Sequence, residues 1–185
     1  TEETGIPLMA AIPEARRALE DVGLADEIDL VVAGGIRNGG DIAKALALGA
    51  KAVAIGHSAM MALNCNKEIP GVTDYEGTVG VPAGQCYHCH SGRCPVGVAT
   101  QDPELRKRLV VEDAAERVYN FLHTLTLEVQ MLARACGKTN IHSLEPEDLC
   151  ALTVEAAAMA RVPLAGTTWI PGVSEERTLA KIERM

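Results

Sequence analysis

The chain has 185 residues, 48% of them hydrophobic and 23% charged, which excludes a disordered composition and suits one domain with a real core. Its single Phe, single Trp and three Tyr leave that core to aliphatic side chains and alanine. A formal charge of −8 excludes a nucleic-acid groove, which needs clustered Lys and Arg to neutralise phosphates.

The chain opens on Thr-Glu-Glu-Thr, without Met and without a charged-then-apolar leader, and reads as part of a longer protein. Its six cysteines then point to a reducing, cytoplasmic setting, as metal ligands or buried thiols and not as a disulfide framework. The most apolar stretch, Leu46 to Leu63, is broken by Gly49, Lys51, Gly56 and His57, so no membrane span is expected.

Residues 14–22, EARRALEDV, carry helical spacing and stop at Gly23. Ile28 to Ala33 is a short run rich in β-branched residues that ends in Gly34-Gly35, the pattern of a buried parallel strand entering a glycine turn. Asp41 to Leu48 returns to helix and stops at Gly49. Ala52 to Ile55 predicts a second buried strand, ended by Gly56, with Ser58 as N-cap of a helix reaching about Leu63. Helix, strand, helix, strand, helix indicates α/β architecture with parallel strands.

Residues 66–84 have no sustained period and read as a loop. Asp102-Pro103 has the form of a helix start, and Arg106-Lys107-Arg108 reads as the exposed face of that helix. Val118, Leu122, Leu125, Val129, Leu132 and Cys136 predict one buried stripe on a long helix that Gly137 ends. A further helix is expected from about Pro146 to Arg161, before Pro163, with Cys136 and Cys150 as core residues and a loop-like tail beyond. No internal repeat stands out.

Two features carry chemistry. Gly34-Gly35 and Gly56 each close a predicted parallel strand at the end where α/β folds bind ligands. Glycine lets the backbone approach an anion, and the amides of the following helix point at it, so the pair reads as a phosphate cradle and not as mere tight turns. Arg37 either adds charge there or is an exposed loop arginine, and His57 offers its backbone N–H and not a catalytic ring. The second feature is QCYHCHSGRCPVG, residues 85–97. Cut off at His90 it spells the haem-attachment pattern C-x-x-C-H, but haem needs an export route and a distal axial ligand, neither evident here. Zinc on Cys86, Cys89, Cys94 and His88 or His90 has acceptable ligand chemistry. Thiolates closed by Cys94-Pro95 equally suit an iron–sulfur cluster.

GGIRNGGDIAKALALGAKAVAIG resembles the final strands of FMN-binding barrels, a pattern shared with inosine-monophosphate-dehydrogenase-like enzymes. Together with ALNC at 62–65 and CHSGRCPVGVATQDPELRKR at 89–108, it resembles the FMN domain of the glutamate synthase large subunit. The resemblance implies the C-terminal portion of a (β/α)8 barrel in residues 1–64, an insertion and iron–sulfur loop in 65–101, and a helical extension and tail in 102–185. It places the FMN phosphate on Gly34, Gly35, Ile36, Gly56 and His57, and the cluster on Cys86, Cys89 and Cys94. The family loop resembles C-x5-C-x4-C; Cys89 and Cys94 match its last two positions, whereas Ala83 stands at the first. Cys65 keeps the ALNC context across an inserted stretch. The local triad implies [3Fe-4S], and a fourth thiolate from Cys65 would permit [4Fe-4S].

The activity so implied is reductive amination of 2-oxoglutarate to glutamate, with ammonia from a glutamine-amidotransferase domain or subunit and electrons from a donor domain or subunit. The loop is closest to archaeal-type glutamate synthases and to N-methylglutamate synthase, which handles methylamine, so the amine donor stays open. No catalytic acid, base or nucleophile is assigned, because the substrate-facing strands of a complete barrel of about 250 residues would lie earlier.

Overall fold

The computed structural model describes residues 5–69, 71–80 and 86–173. The chain divides into two compact units, one made of Thr1–Ile55 with Leu125–Met185, the other of Gly56–Thr124. The sequence reading of the tail beyond residue 173, and of Ala83, falls outside the described residues.

The first unit is a helix-rich α/β assembly. Helix α1, Leu8–Asp21, begins well before Glu14 and carries Pro13 inside it. Proline looks like a helix start because it lacks an N–H, but burial of Ala10 and Ile12 ahead of it extends the helix towards the N-terminus. Strands β1, Val31–Ala33, and β2, Ala52–Ala54, pair in parallel with Val31 opposite Ala52, Val32 opposite Val53 and Ala33 opposite Ala54. Helix α2, Gly39–Ala47, connects them. Both strands are shorter than expected and are not buried on both faces. Val32 enters the core with Ile12, Ile36 and Ala45, whereas Val31 is 62% exposed and Ala33, Ala52 and Ala54 are exposed as well. Among the described residues the sheet has two strands, with no further strand to cover that face.

Helix α6, Val111–Ala135, brings Leu125, Val129 and Ala133 into this unit as buried residues. The expected stripe is thus corrected at its end: Ala133 is buried, whereas Leu132 and Cys136 are exposed. Ala133 packs with Ala43 and Ala47 of α2, and small side chains on both helices permit that close approach where a leucine would not fit. Leu122, also expected inside, is exposed.

The helix expected over 146–161 is two pieces. A 3-10 turn, Pro146–Asp148, gives way to an extended segment in which Ala151 bridges Leu164, and helix α7, Val154–Ala160, starts afresh. The break has local causes. Asp148 accepts from the Glu145 amide at 2.9 Å, and the Thr153 side chain accepts from the Ala156 amide at 3.1 Å as a new N-cap. Cys150 is therefore exposed and not a core residue. Helix α7 packs on α1, with Ala157 fully buried.

In the second unit, helix α3, His57–Ala62, begins one residue before Ser58, so Ser58 lies within the helix and Gly56 holds the cap position without a side-chain bond. The stretch read as loop contains helix α4, Tyr75–Val79, started by Asp74, whose side chain accepts from the Gly77 amide at 2.9 Å. Helix α5, Pro103–Arg106, starts as its sequence predicts: Asp102 accepts from the amides of Glu104 and Leu105 at 2.8 and 3.1 Å. The core of this unit is small and is centred on Ile69, Val79, Cys94 and Val96. Among the described residues, no helix is long and apolar enough to cross a membrane.

Candidate cofactor sites

The segment after Cys86 folds through short local bonds. A 3-10 turn, His88–His90, is closed by the Ser91 hydroxyl, which donates to the His88 carbonyl at 2.8 Å and accepts from the Arg93 amide at 3.2 Å. Thr100, buried, donates to the Gly92 carbonyl at 2.5 Å and accepts from the Asp102 amide at 3.1 Å, so residues 92–100 close on themselves. Arg108 adds a bond from Nη1 to the Pro95 carbonyl at 2.7 Å.

Inside that closed loop sits Cys94, only 4% exposed. Burial pushes its thiol pKa up, but the backbone amides of Ala99, Val96, Val98 and Gly97 aim at the sulfur and together bring it below the ordinary cysteine value. Pro95 lacks an N–H, so the donors come from the residues after it, and the chain curls back because Gly97 adopts φ +85°. A Cβ at Gly97 would collide with the Leu105 carbonyl, which keeps that position small. Cys65 and Cys86, both half-buried, pack on the cluster containing Cys94, and Cys89 is exposed. The Cys65 thiol is raised first by burial and then by the neighbouring charges of Cys89, Cys94 and Cys86, so each of these three sulfurs lies within electrostatic reach of Cys65. The structure thus brings Cys65 to the predicted triad despite the inserted stretch. Among the described residues, no group of three or more Cys, His, Asp or Glu side chains is arranged to hold a metal ion. The His88 Nε2 atom is 2.5 Å from the Val79 carbonyl, which engages that nitrogen structurally.

The glycine turn belongs to the first unit. Gly34 and Gly35 follow β1 with φ +123° and +67°, conformations that a side chain would strain. Both are exposed, a Cβ at either would meet nothing within 4 Å, and the next residue, Ile36, is buried in the core as an anchor. The downstream end is fastened by Asp41, itself 4% exposed: its Oδ2 accepts from the Arg37 amide at 3.2 Å and from Arg37 Nε at 3.4 Å, and its Oδ1 from Lys44 Nζ at 3.0 Å. Burial pushes the Asp41 carboxyl up, but Lys44 and Arg37 outweigh it and hold the pKa below the usual aspartate value. Arg37 is therefore tied to Asp41.

Two amides in the first turn of α2 are engaged within the protein. The Asp41 amide donates to Asn38 Oδ1 at 2.9 Å, and the Gly39 amide donates to Glu128 Oε2 at 2.6 Å. Glu128 was invisible as a site residue in the sequence, because its partner lies 89 positions away. In the second unit, Gly56 has φ −116°, which any residue adopts, yet a Cβ there would also meet nothing within 4 Å; His57 beside it is exposed.

A parallel β-α-β unit with a glycine turn at a strand end, followed along the chain by a loop that gathers cysteines, defines the class: an α/β protein that carries a thiol-rich loop later in its sequence. Residues 1–139 match the model of the conserved region in glutamate synthase, and the chain belongs to that family. It is 54% identical over 171 residues to a glutamate synthase large subunit-like protein of Rhizobium meliloti, covering 92% of this chain and 38% of that protein. It is 40% identical over 143 residues to an archaeal glutamate synthase [NADPH] of Methanocaldococcus jannaschii, covering 77% of this chain and 24% of that one. A large subunit-like protein of Bacillus subtilis, YerD, is 32% identical over 136 residues, 74% of this chain and 22% of its own length. The chain thus spans well under half the length of these curated relatives. No solved structure matches it.

Proposed function

We propose that the chain is the part of a glutamate-synthase-like oxidoreductase that holds the FMN phosphate and an iron–sulfur cluster, within an enzyme that reductively aminates 2-oxoglutarate. The observation that carries this reading is the convergence of Cys65, Cys86, Cys89 and Cys94 around a loop whose backbone amides already favour thiolate at Cys94. Thiolate is the ligand form, and amide bonds to sulfur tune a bound cluster. Cys65 packs on the same small core as Cys86 and Cys94, so it joins Cys86, Cys89 and Cys94 as a ligand, and that fourth thiolate permits [4Fe-4S] beside the [3Fe-4S] of the local triad.

The open faces of Gly34 and Gly35 fit a bulky anion approaching the backbone closely, and their place after β1 suits the strand end of a (β/α)8 barrel; Gly56, which follows β2 in the chain, is equally free of crowding. The exposed face of β1 and β2 is what the remaining strands and helices of such a barrel would cover. When bound, the flavin supplies two-electron hydride chemistry and the cluster supplies single electrons. This chain's residues hold and orient: Ile36 anchors the turn, Gly34 and Gly35 yield backbone access, and Ile69, Val79 and Val96 shield Cys94 from water. Ammonia or methylamine as amine donor, a glutamine-amidotransferase and an electron-donor partner belong to the whole enzyme.

The test is the visible spectrum of the full-length protein purified anaerobically, with iron, sulfide and flavin analysis. Flavin with iron and acid-labile sulfide is expected. Stoichiometric zinc, or the absence of both iron and flavin, overturns the proposal.

A further inference from the structure

We infer that Glu128 is a positioning residue for the phosphate-binding turn, acting through the amide of Gly39; this rests on the FMN reading above. Helix α6 carries Glu128 against the start of α2, where Oε2 accepts from the Gly39 amide at 2.6 Å. The fit is close: a Cβ at Gly39 would collide with the Glu128 side chain and lie 2.9 Å from the Leu125 carbonyl. Leu125 and Val129, buried on either side of Glu128, fix the helix face from which the carboxylate reaches.

What this bond holds is the downstream end of the segment that starts with Gly34 and Gly35. Ile36 anchors the middle in the core, Asp41 takes the Arg37 amide, Asn38 takes the Asp41 amide, and Glu128 takes the Gly39 amide. Three acceptors therefore fix the amides of residues 37, 39 and 41. Of the three, only Glu128 is distant in sequence, so only it ties the turn to another element. The bond has a second consequence. With a carboxylate on its first amide and Asn38 on its third, two of the first-turn amides of α2 are engaged by the protein. The glycine turn itself, whose two left-handed residues leave the backbone open, is where an incoming phosphate approaches.

The experiment measures FMN and riboflavin affinity by flavin-fluorescence titration of the flavin-depleted full-length protein. Riboflavin lacks the phosphate and reports the rest of the site. Glu128→Ala and Glu128→Asp, which removes reach but keeps charge, are each expected to weaken FMN by about tenfold, the effect of one lost hydrogen bond to a charged group. Riboflavin affinity should stay at the wild-type value in both. Glu128→Gln, which keeps an acceptor oxygen at the same reach, is expected to stay within about twofold of wild type for both flavins. Equal loss of FMN and riboflavin, unchanged FMN binding in Glu128→Ala, or a wild-type-like Glu128→Asp beside a defective Glu128→Gln overturns the positioning role. A wild-type protein that binds neither flavin instead removes the FMN reading on which the inference rests.

Discussion

Replacing Asp41 tests how the glycine turn is held. Its carboxylate is nearly inaccessible and satisfies one backbone amide and two cationic side chains. Losing the Arg37 amide bond costs about 1 kcal/mol, plus a desolvation penalty for an amide left half-satisfied. The ion pairs count for less, because the Arg37 and Lys44 side chains are 78% and 51% exposed and water screens them; each is worth at most about 0.5 kcal/mol. Asp41→Ala should therefore destabilise by about 2 kcal/mol, and Asp41→Asn, which keeps an acceptor for the amide, by about 1 kcal/mol.

In a domain of this size 1 kcal/mol corresponds to roughly 2–4 °C in Tm, so the alanine variant should melt roughly 4–8 °C lower by calorimetry of the full-length protein. The pH dependence has a definite sign. The folded-state pKa of Asp41 is lowered, so the charged form's stabilisation is fully present above the unfolded value near about 3.9 and fades as pH falls through the lower folded value. The gap between wild type and Asp41→Asn should be constant near neutrality and close on acidification below about pH 4. An Asp41→Ala protein melting within about 1 °C of wild type, or a gap that widens in acid, would refute this account.

Cysteine substitutions separate ligands from bystanders. Cys94→Ser and Cys65→Ser should both lose cluster iron in anaerobic iron analysis, whereas Cys136→Ser, on an exposed helix end, should retain it. Full iron in Cys65→Ser would return the ligand set to Cys86, Cys89 and Cys94. At Gly97 the substitution to Ala forces a side chain into φ +85° and against the Leu105 carbonyl, so a loss of roughly 2–4 kcal/mol is expected in thermal or denaturant unfolding. An unperturbed Gly97→Ala protein would show that the loop around Cys94 is not held as tightly as its geometry implies.

The legible parts of this protein are those written in neighbouring residues. Asp102-Pro103 predicts a capped helix start because both the acceptor and its amide donors lie within one turn. The closely spaced cysteines ending in Cys94-Pro95 announce a cluster-type loop, whereas the curl at Gly97 that brings amides to the Cys94 sulfur is seen only in the folded chain. Reading burial from periodicity alone failed where the partner element decides: Ala133 displaced Leu132 from the buried face because α2 presents alanines there, and the helix over 146–161 broke because Thr153 caps a new start.

By itself, then, the sequence determined the parallel strand pair, the glycine turn after β1 and the identity of the thiol-rich loop, since each follows from local backbone chemistry. Only the tertiary structure decided that Cys65 stands with Cys86, Cys89 and Cys94, and that Glu128 occupies the amide at the start of α2. The physical reason is the same in both cases. A thiol packed against a distant loop and a carboxylate reaching 89 residues back are contacts made by packing, and no local spacing encodes them.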